Sequence, residues 1–186
     1  MSIDQPLLNT RPAIIAITGI QAAGKSTIAR LLAQRFARGV HIEADVLHHM
    51  IVSGAVWVGE PGQEDESEAA NQLRLRLKNM CLLARSFQVA GFTAVLDDII
   101  MGERWQHLQE ELLGIPFSLV VLAPSVETVA HQRDVNRAKQ PLGETWATYL
   151  DQALRSTMAG IGLWVDTSEQ TPEETVEYIL QHLNLR

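Results

Sequence analysis

Ala13-Ile-Ile-Ala-Ile-Thr18-Gly19-Ile-Gln21-Ala-Ala-Gly24-Lys25-Ser26-Thr27 decides how this chain is read. Its first half is a compact, β-branched apolar run, the composition of a strand buried on both faces of a parallel sheet. Its second half fits G-x-x-x-x-G-K-[ST]. Glycines let a backbone curl until successive N–H groups point at one anion. In such a loop Lys25 places a point charge on the outer phosphates, and the Ser26 hydroxyl is a ligand for Mg²⁺. The residues from 25 to 36 follow as a helix, with Ile28, Leu31, Leu32 and Phe36 at helical spacing, so its positive dipole end meets the same anion. The alternative is a glycine-rich turn with an exposed lysine. The position between a buried strand and an amphipathic helix argues against it, because the mechanism needs that context.

Outward from this loop, strands alternate with helices. Residues 40–44, 93–96, 117–122 and 162–165 read as further strands. Helices are expected from Asp45 to about 50–52, then at 69–89, 103–113, 125–133, 144–158 and 171–183. Asp45 reads as a helix cap, Ser125 as another, and Thr171-Pro-Glu-Glu174 as a capping box. Gly91 falls where a C-terminal cap belongs. The fold class is therefore α/β, a three-layer sandwich with a five-stranded parallel sheet and helices on both faces. With 186 residues, no linker and no repeat, a single domain spanning 1–186 is expected, with 1–10 as a tail.

In an open parallel sheet, ligands bind beyond the carboxyl ends of the strands. The residues there are Asp45, with Glu43 before it, and the pair Asp97-Asp98. Asp97 resembles a Walker-B-type acid holding Mg²⁺, and Asp98 is placed to hold an acceptor. Asp45, across the crevice, is placed to act on an acceptor hydroxyl. A solvated turn is the alternative for the acidic pair, and a plain helix cap the alternative for Asp45. Arg133 and Arg137 lie in a mixed polar segment, 133–143, that reads as a lid whose guanidiniums neutralise charge on a transferring group. The alternative there is a solvated helix face.

Residues 53–68 read as an acceptor-side loop with Gly54, Gly59, Pro61 and Gly62, several acids and no Lys or Arg. Its acidity disfavours a strongly anionic acceptor. Trp57 within it is placed either to stack on a substrate or to anchor the loop. His41, His48 and His49 look like a metal cluster by eye, but adjacent His48 and His49 point about 100° apart on a helix and no further ligand has the right spacing. Cys81, the one cysteine, falls in a helical pattern and reads as core.

Composition narrows the class. Fifteen Lys and Arg against 22 Asp and Glu leave a formal charge of −7, which disfavours a nucleic-acid backbone as partner. The apolar run at 13–17 is far short of the ~20 residues that span a bilayer, and 1–9 lacks the features of a signal peptide. No intrachain disulfide is possible with one cysteine, so a cytoplasmic setting is expected.

Four places carry a resemblance. They are the phosphate loop from Gly19 to Thr27, Glu43-Ala-Asp45-Val-Leu47, Ala94-Val-Leu-Asp-Asp-Ile-Ile100 with Glu103-Arg-Trp105, and Val165-Asp-Thr-Ser168. In them the chain resembles the P-loop kinase superfamily, which includes shikimate, gluconate and adenylylsulfate kinases, and within it chloramphenicol phosphotransferase-like proteins. The resemblance implies an ATP-dependent phosphotransferase acting on a hydroxyl of a small molecule, an antibiotic among the candidates, with ATP and Mg²⁺ as cofactors. It puts Gly19, Gln21, Ala22, Ala23, Gly24, Lys25, Ser26 and Thr27 on the phosphates, and Asp166 and Thr167 near the adenine. It makes Asp45 the acid that activates the hydroxyl, and Arg133 and Arg137 lid arginines. The loop from Gly54 to Glu68 departs from the family pattern, on the acceptor side. Rival readings are a metabolic or nucleoside kinase of the same fold, a toxin-type kinase acting on a nucleotide sugar, and a nucleotide-binding regulatory ATPase. A GTPase switch would want an [NT]-K-x-D segment, which the chain lacks.

Overall fold

The computed structural model describes residues 7–8, 10–57, 68–133 and 143–183, with the backbone alone at 131–133. Five strands form one parallel sheet: β1 Ile14–Gly19, β2 Gly39–Glu43, β3 Thr93–Asp97, β4 Phe117–Leu122 and β5 Leu163–Val165, in the order β2-β3-β1-β4-β5. The β1 run is buried along its whole length, as its unbroken apolar composition requires of a central strand covered on both faces.

Among the described residues six α-helices accompany the strands: α1 Lys25–Gln34, α2 Ala44–His49, α3 Glu68–Val89, α4 Glu103–Glu111, α5 Gly143–Met158 and α6 Pro172–His182. Helix α1 packs on β1, β2 and β3 and against α6. Helix α3 packs on the same three strands and against α4. The two groups cover opposite faces, giving the expected three layers. The core runs through Ile14, Ile15, Ile17, Leu32, Leu77, Met80, Leu96, Val120 and Leu122, all fully buried. Burying side chains of this size contributes about 1.5–3 kcal/mol each.

Local chemistry explains the ends of the elements. Thr171 accepts from the Glu174 amide and the Glu174 carboxylate accepts from the Thr171 amide, so the capping box forms as its sequence dictates. Gly91 takes φ +88°, and the Phe92 amide donates back to the Phe87 carbonyl, closing α3. Ser125 Oγ accepts from the Thr128 amide at 3.1 Å. The turn that follows, Thr128–Arg133, is π-helical and not the regular helix expected, a wider winding that often occurs where a helix is bent for function.

Asp45 is the clearest local correction. It is not the cap of α2: the helix begins at Ala44, Glu43 stands at the capping position in extended geometry, and Asp45 lies inside the first turn. The chain leaves β2 and turns into the helix without an intervening residue, which puts the capping position two residues earlier than a Ser/Thr/Asp/Asn rule places it. Leu8 bridges to Phe36, its amide donating to the Arg35 carbonyl at 2.7 Å.

Candidate functional site

The parallel sheet brings one end of every strand to a common edge. In register, Glu43 of β2 stands beside Asp97 of β3, and Asp97 beside Ile17 of β1. Two residues past Ile17 the phosphate loop begins. Gly19 is required there by space: a Cβ would stand 2.5 Å from the Leu122 carbonyl oxygen of the neighbouring β4, closer than any real contact. Ala22 and Gly24 take positive φ, +53° and +95°, which turns the loop back on itself before α1. Lys25 Nζ lies over that curl, donating to the carbonyls of Gly19 at 3.1 Å and Ile20 at 2.7 Å. Gln21 is buried, while Thr27 is exposed.

Ser26 opens α1, and its hydroxyl donates to Asp97 Oδ2 at 2.7 Å. The other oxygen of Asp97 meets His41 Nε2 at 2.5 Å. His41 precedes Glu43 by two residues, so strand alternation puts both on one face of β2. Asp97 is 3% exposed and Asp98 4%, so neither forms the solvated turn that was the alternative reading. The turn itself is tied to β1 by Thr18, whose Oγ1 donates to the Ile100 carbonyl at 2.9 Å and accepts from the Ile100 amide at 2.8 Å. A polar side chain inside an apolar strand is thus satisfied twice.

Asp98 faces away from Ser26. Its Oδ1 accepts from the Ile99 amide at 2.7 Å and from Arg76 Nη2 at 2.5 Å. Arg76 Nη1 stands 3.5 Å from Asp45 Oδ1. A guanidinium that is 6% exposed therefore bridges a carboxylate at the end of β3 to one on α2. Asp98 is linked to Asp45 through Arg76, with its own oxygens inside the protein. Sequence reading missed Arg76. The signal was present: it sits at helical spacing with Leu73, Leu77 and Met80 on the buried side of α3, where an arginine needs a partner. Gln72, one turn earlier, is also buried. It holds the segment after α2, accepting from the Val56 amide and donating to the Gly54 carbonyl, each at 2.8 Å.

Trp57 is 50% exposed and packs its ring on His48 at 4.0 Å and His49 at 5.3 Å between centroids. It both anchors its segment and leaves a free face. Burial lowers the His48 pKa from its ordinary value, with the Arg76 charge adding to the effect. On the far side of the sheet edge, Asp166 Oδ1 accepts from the Ser168 amide at 2.9 Å and its hydroxyl at 2.6 Å. The Ser168 hydroxyl accepts from the Ser125 amide at 2.9 Å, and Thr167 is buried. Residues 58–67 of the 53–68 loop, residues 134–142 of the 133–143 segment with Arg137 among them, and the side chain of Arg133 lie outside the described residues.

A curl of amides at a helix start, an ammonium, and a hydroxyl paired with a carboxylate form a set suited to phosphate and a hard cation. The comparisons with known proteins agree with that chemistry. An adenylyl-sulfate kinase of Pseudomonas aeruginosa is 26% identical over 185 residues, spanning 95% of this chain and 88% of that protein. Among solved structures, a sugar kinase from Janibacter superposes with a TM-score of 0.68 at 16% identity, covering 94% of this chain and 95% of its own. A tunicamycin resistance protein of Deinococcus radiodurans gives 0.67 at 21%, covering 95% and 98%. A thymidylate kinase of Candida albicans gives 0.65 at 13%, covering 94% and 92%. These structural likenesses carry the fold. The family model of chloramphenicol phosphotransferase-like proteins matches residues 12–184. With that match over almost its whole length, the chain belongs to the chloramphenicol phosphotransferase-like family of the P-loop kinase superfamily.

Proposed function

We propose that the chain transfers the γ-phosphate of Mg·ATP to a hydroxyl of a small molecule, with antibiotics among the candidates. The observation that carries this reading is the convergence at one sheet edge of the phosphate loop, the Ser26–Asp97 pair and the Asp45 carboxylate. The amides from Ile20 to Ser26, together with Lys25, bind the phosphates. Ser26 Oγ and Asp97 Oδ2, 2.7 Å apart, are hard oxygen donors that fit Mg²⁺, which takes few protein ligands and completes its shell with water and phosphate. The ion supplies charge neutralisation for the β- and γ-phosphates. Asp166 and Thr167 border the adenine, and Trp57 offers its exposed face to the acceptor. Arg133 and Arg137 belong to this reading as the residues that close over the phosphates.

Asp45 accepts the proton of the acceptor hydroxyl and holds that oxygen in line with the γ-phosphorus. The new P–O bond forms to the acceptor, the bond to the β-phosphate oxygen breaks, and ADP leaves. Because the proton departs late in a loose transition state, much of the gain is orientation. Asp45 is suited to that role by being ion-paired from behind, on Arg76, while 34% exposed in front. The chain acts within this reading as a cytoplasmic, single-domain enzyme without nucleic-acid or membrane partners.

The test is transfer of labelled γ-phosphate to a panel of hydroxylated antibiotics, sugars and nucleosides. Lys25→Ala is expected to lose tight Mg·ATP binding with its fold intact, and wild-type affinity in that variant would remove the phosphate-loop assignment. With an acceptor in hand, Asp45→Asn is expected to lower kcat by ~10²–10⁴ and to change ATP affinity by less than about 3-fold. Full kcat in Asp45→Asn would end its catalytic assignment and pass the role to Glu43 or Asp98.

A further inference from the structure

Asp97 has both carboxylate oxygens engaged. Oδ2 accepts from the Ser26 hydroxyl at 2.7 Å, and Oδ1 meets His41 Nε2 at 2.5 Å. A carboxylate only accepts, so the imidazole donates through Nε2–H. Among the described residues this is the one hydrogen bond that the His41 ring makes. The sheet sets the pairing. His41 stands in register with Val95 and Glu43 with Asp97, so His41 and Asp97 share a face of adjacent strands, two positions apart along them. The ring is 17% exposed and reaches along the strands to end on Oδ1.

Rotation of an aspartate about its last side-chain bond is soft, because that torsion has broad minima. A single bond from Ser26 leaves the rotation open, and the bond from His41 closes it. Mg²⁺ takes oxygen ligands, and among the described residues no three His, Cys, Asp or Glu side chains gather into a metal site. The imidazole is therefore not a ligand; its route to the ion runs through Asp97.

We propose that His41 is a positioning residue for the metal site. It fixes the Asp97 carboxylate so that Oδ2 stays on the Ser26 hydroxyl, where the phosphotransferase reading, on which this inference rests, puts Mg²⁺. Partners behind a metal ligand are worth about 10–100-fold in metal affinity. His41 touches neither nucleotide nor acceptor in this arrangement, so its loss is felt when the ion is present and not otherwise.

The test uses the non-hydrolysable analogue AMP-PNP. Its affinity is measured calorimetrically in EDTA and in saturating Mg²⁺, and the ratio of the two dissociation constants reports the coupling of ion to nucleotide. Wild type, Asp97→Asn, His41→Leu, His41→Gln and the double variant His41→Leu/Asp97→Asn are compared. His41→Leu is expected to keep the EDTA affinity within about 3-fold of wild type and to cut the Mg²⁺ ratio by about tenfold or more. His41→Gln carries an amide N–H to the same oxygen and is expected to hold the ratio within about 3-fold of wild type. On the Asp97→Asn background, loss of His41 is expected to cost nothing further, since the residue it acts through is already changed. The inference is overturned if folded His41→Leu keeps the wild-type ratio, or if it weakens binding equally with and without Mg²⁺. It is also overturned if His41→Gln fails to rescue, or if the double variant loses more than Asp97→Asn alone. Should His41→Leu fail to fold, His41→Asn, whose amide ends one methylene short of the glutamine's, takes its place. In all these outcomes the phosphotransferase reading stands as long as wild type responds to Mg²⁺ and Asp97→Asn does not. Failure of wild type to bind AMP-PNP, indifference of its binding to Mg²⁺, or a wild-type ratio in Asp97→Asn would strike that reading of the metal site and the inference with it.

Discussion

Replacing Arg76 by Met removes the guanidinium and keeps most of the apolar stem, so the change is mainly electrostatic. Its cost follows from the two carboxylates left behind. Asp98 is 4% exposed and loses its closest cationic partner, which leaves a buried charge with one remaining contact from the Ile99 amide. Breaking a buried pair from one side costs about 3–5 kcal/mol. The Asp45 leg adds little, because that carboxylate is 34% exposed and 3.5 Å away, within the ~0–1 kcal/mol of solvated pairs. Arg76→Met should therefore destabilise by about 3–5 kcal/mol, and Asp45→Asn by less than ~1 kcal/mol. Adding Asp98→Asn to Arg76→Met should recover much of the loss, since the stranded charge is then gone. Urea unfolding monitored by circular dichroism measures all three. At about 2–4 °C per kcal/mol for a chain of this size, the single Arg76 variant should melt roughly 6–20 °C below wild type. A cost under 1 kcal/mol for Arg76→Met, or strictly additive costs in the double variant, would refute the claim that the pair is buried and coupled.

Three further expectations follow from other parts of the molecule. Asp97→Asn should lower the Mg²⁺ affinity of the nucleotide complex by at least about tenfold while changing metal-free nucleotide binding far less, and equal effects in titrations with and without Mg²⁺ would detach Asp97 from the metal. His48 is held neutral by burial, so its folded pKa lies below the ordinary 6.5 while the unfolded chain titrates near 6.5. The unfolded state then binds more protons as pH falls through 6.5, and stability should drop from there until the folded pKa is passed. Melting curves between pH 8 and 5 should be flatter for His48→Leu than for wild type. Burial pushes the Cys81 thiol up to about 12, so the native protein should resist a disulfide reagent at pH 8 and react fully once unfolded in urea. Fast modification of the folded protein would contradict the packing of α3.

The sequence by itself determined the architecture and one half of the site. The β1 run, the glycine spacing after it and the helical pattern from Lys25 are local features, and local features carry their physics within a few residues. The same holds for the Thr171–Glu174 capping box, the Gly91 cap and the burial of Cys81 in α3. Asp97 and Asp98 were legible as acids at a strand end, because a parallel sheet sends every such end to one edge. The start of α2 was less legible, since a helix can follow a strand directly and a capping rule then misplaces its cap by two residues.

What only the tertiary structure decided is how the acids divide their work. Asp97 is the last residue of β3 and Asp98 the first of the bend after it, and there Asp97 turns to Ser26 and His41 while Asp98 turns to Arg76. No spacing rule links Arg76 to Asp45 or Asp98, which lie 31 and 22 positions away in sequence. Their meeting depends on α3 packing both on the sheet and against α2, with Leu73, Leu77 and Met80 buried together. A charged residue on the buried face of a helix announces that it has a partner. Which partner it has is a property of the packed molecule, because only packing brings distant carboxylates within reach of a side chain that solvent cannot serve.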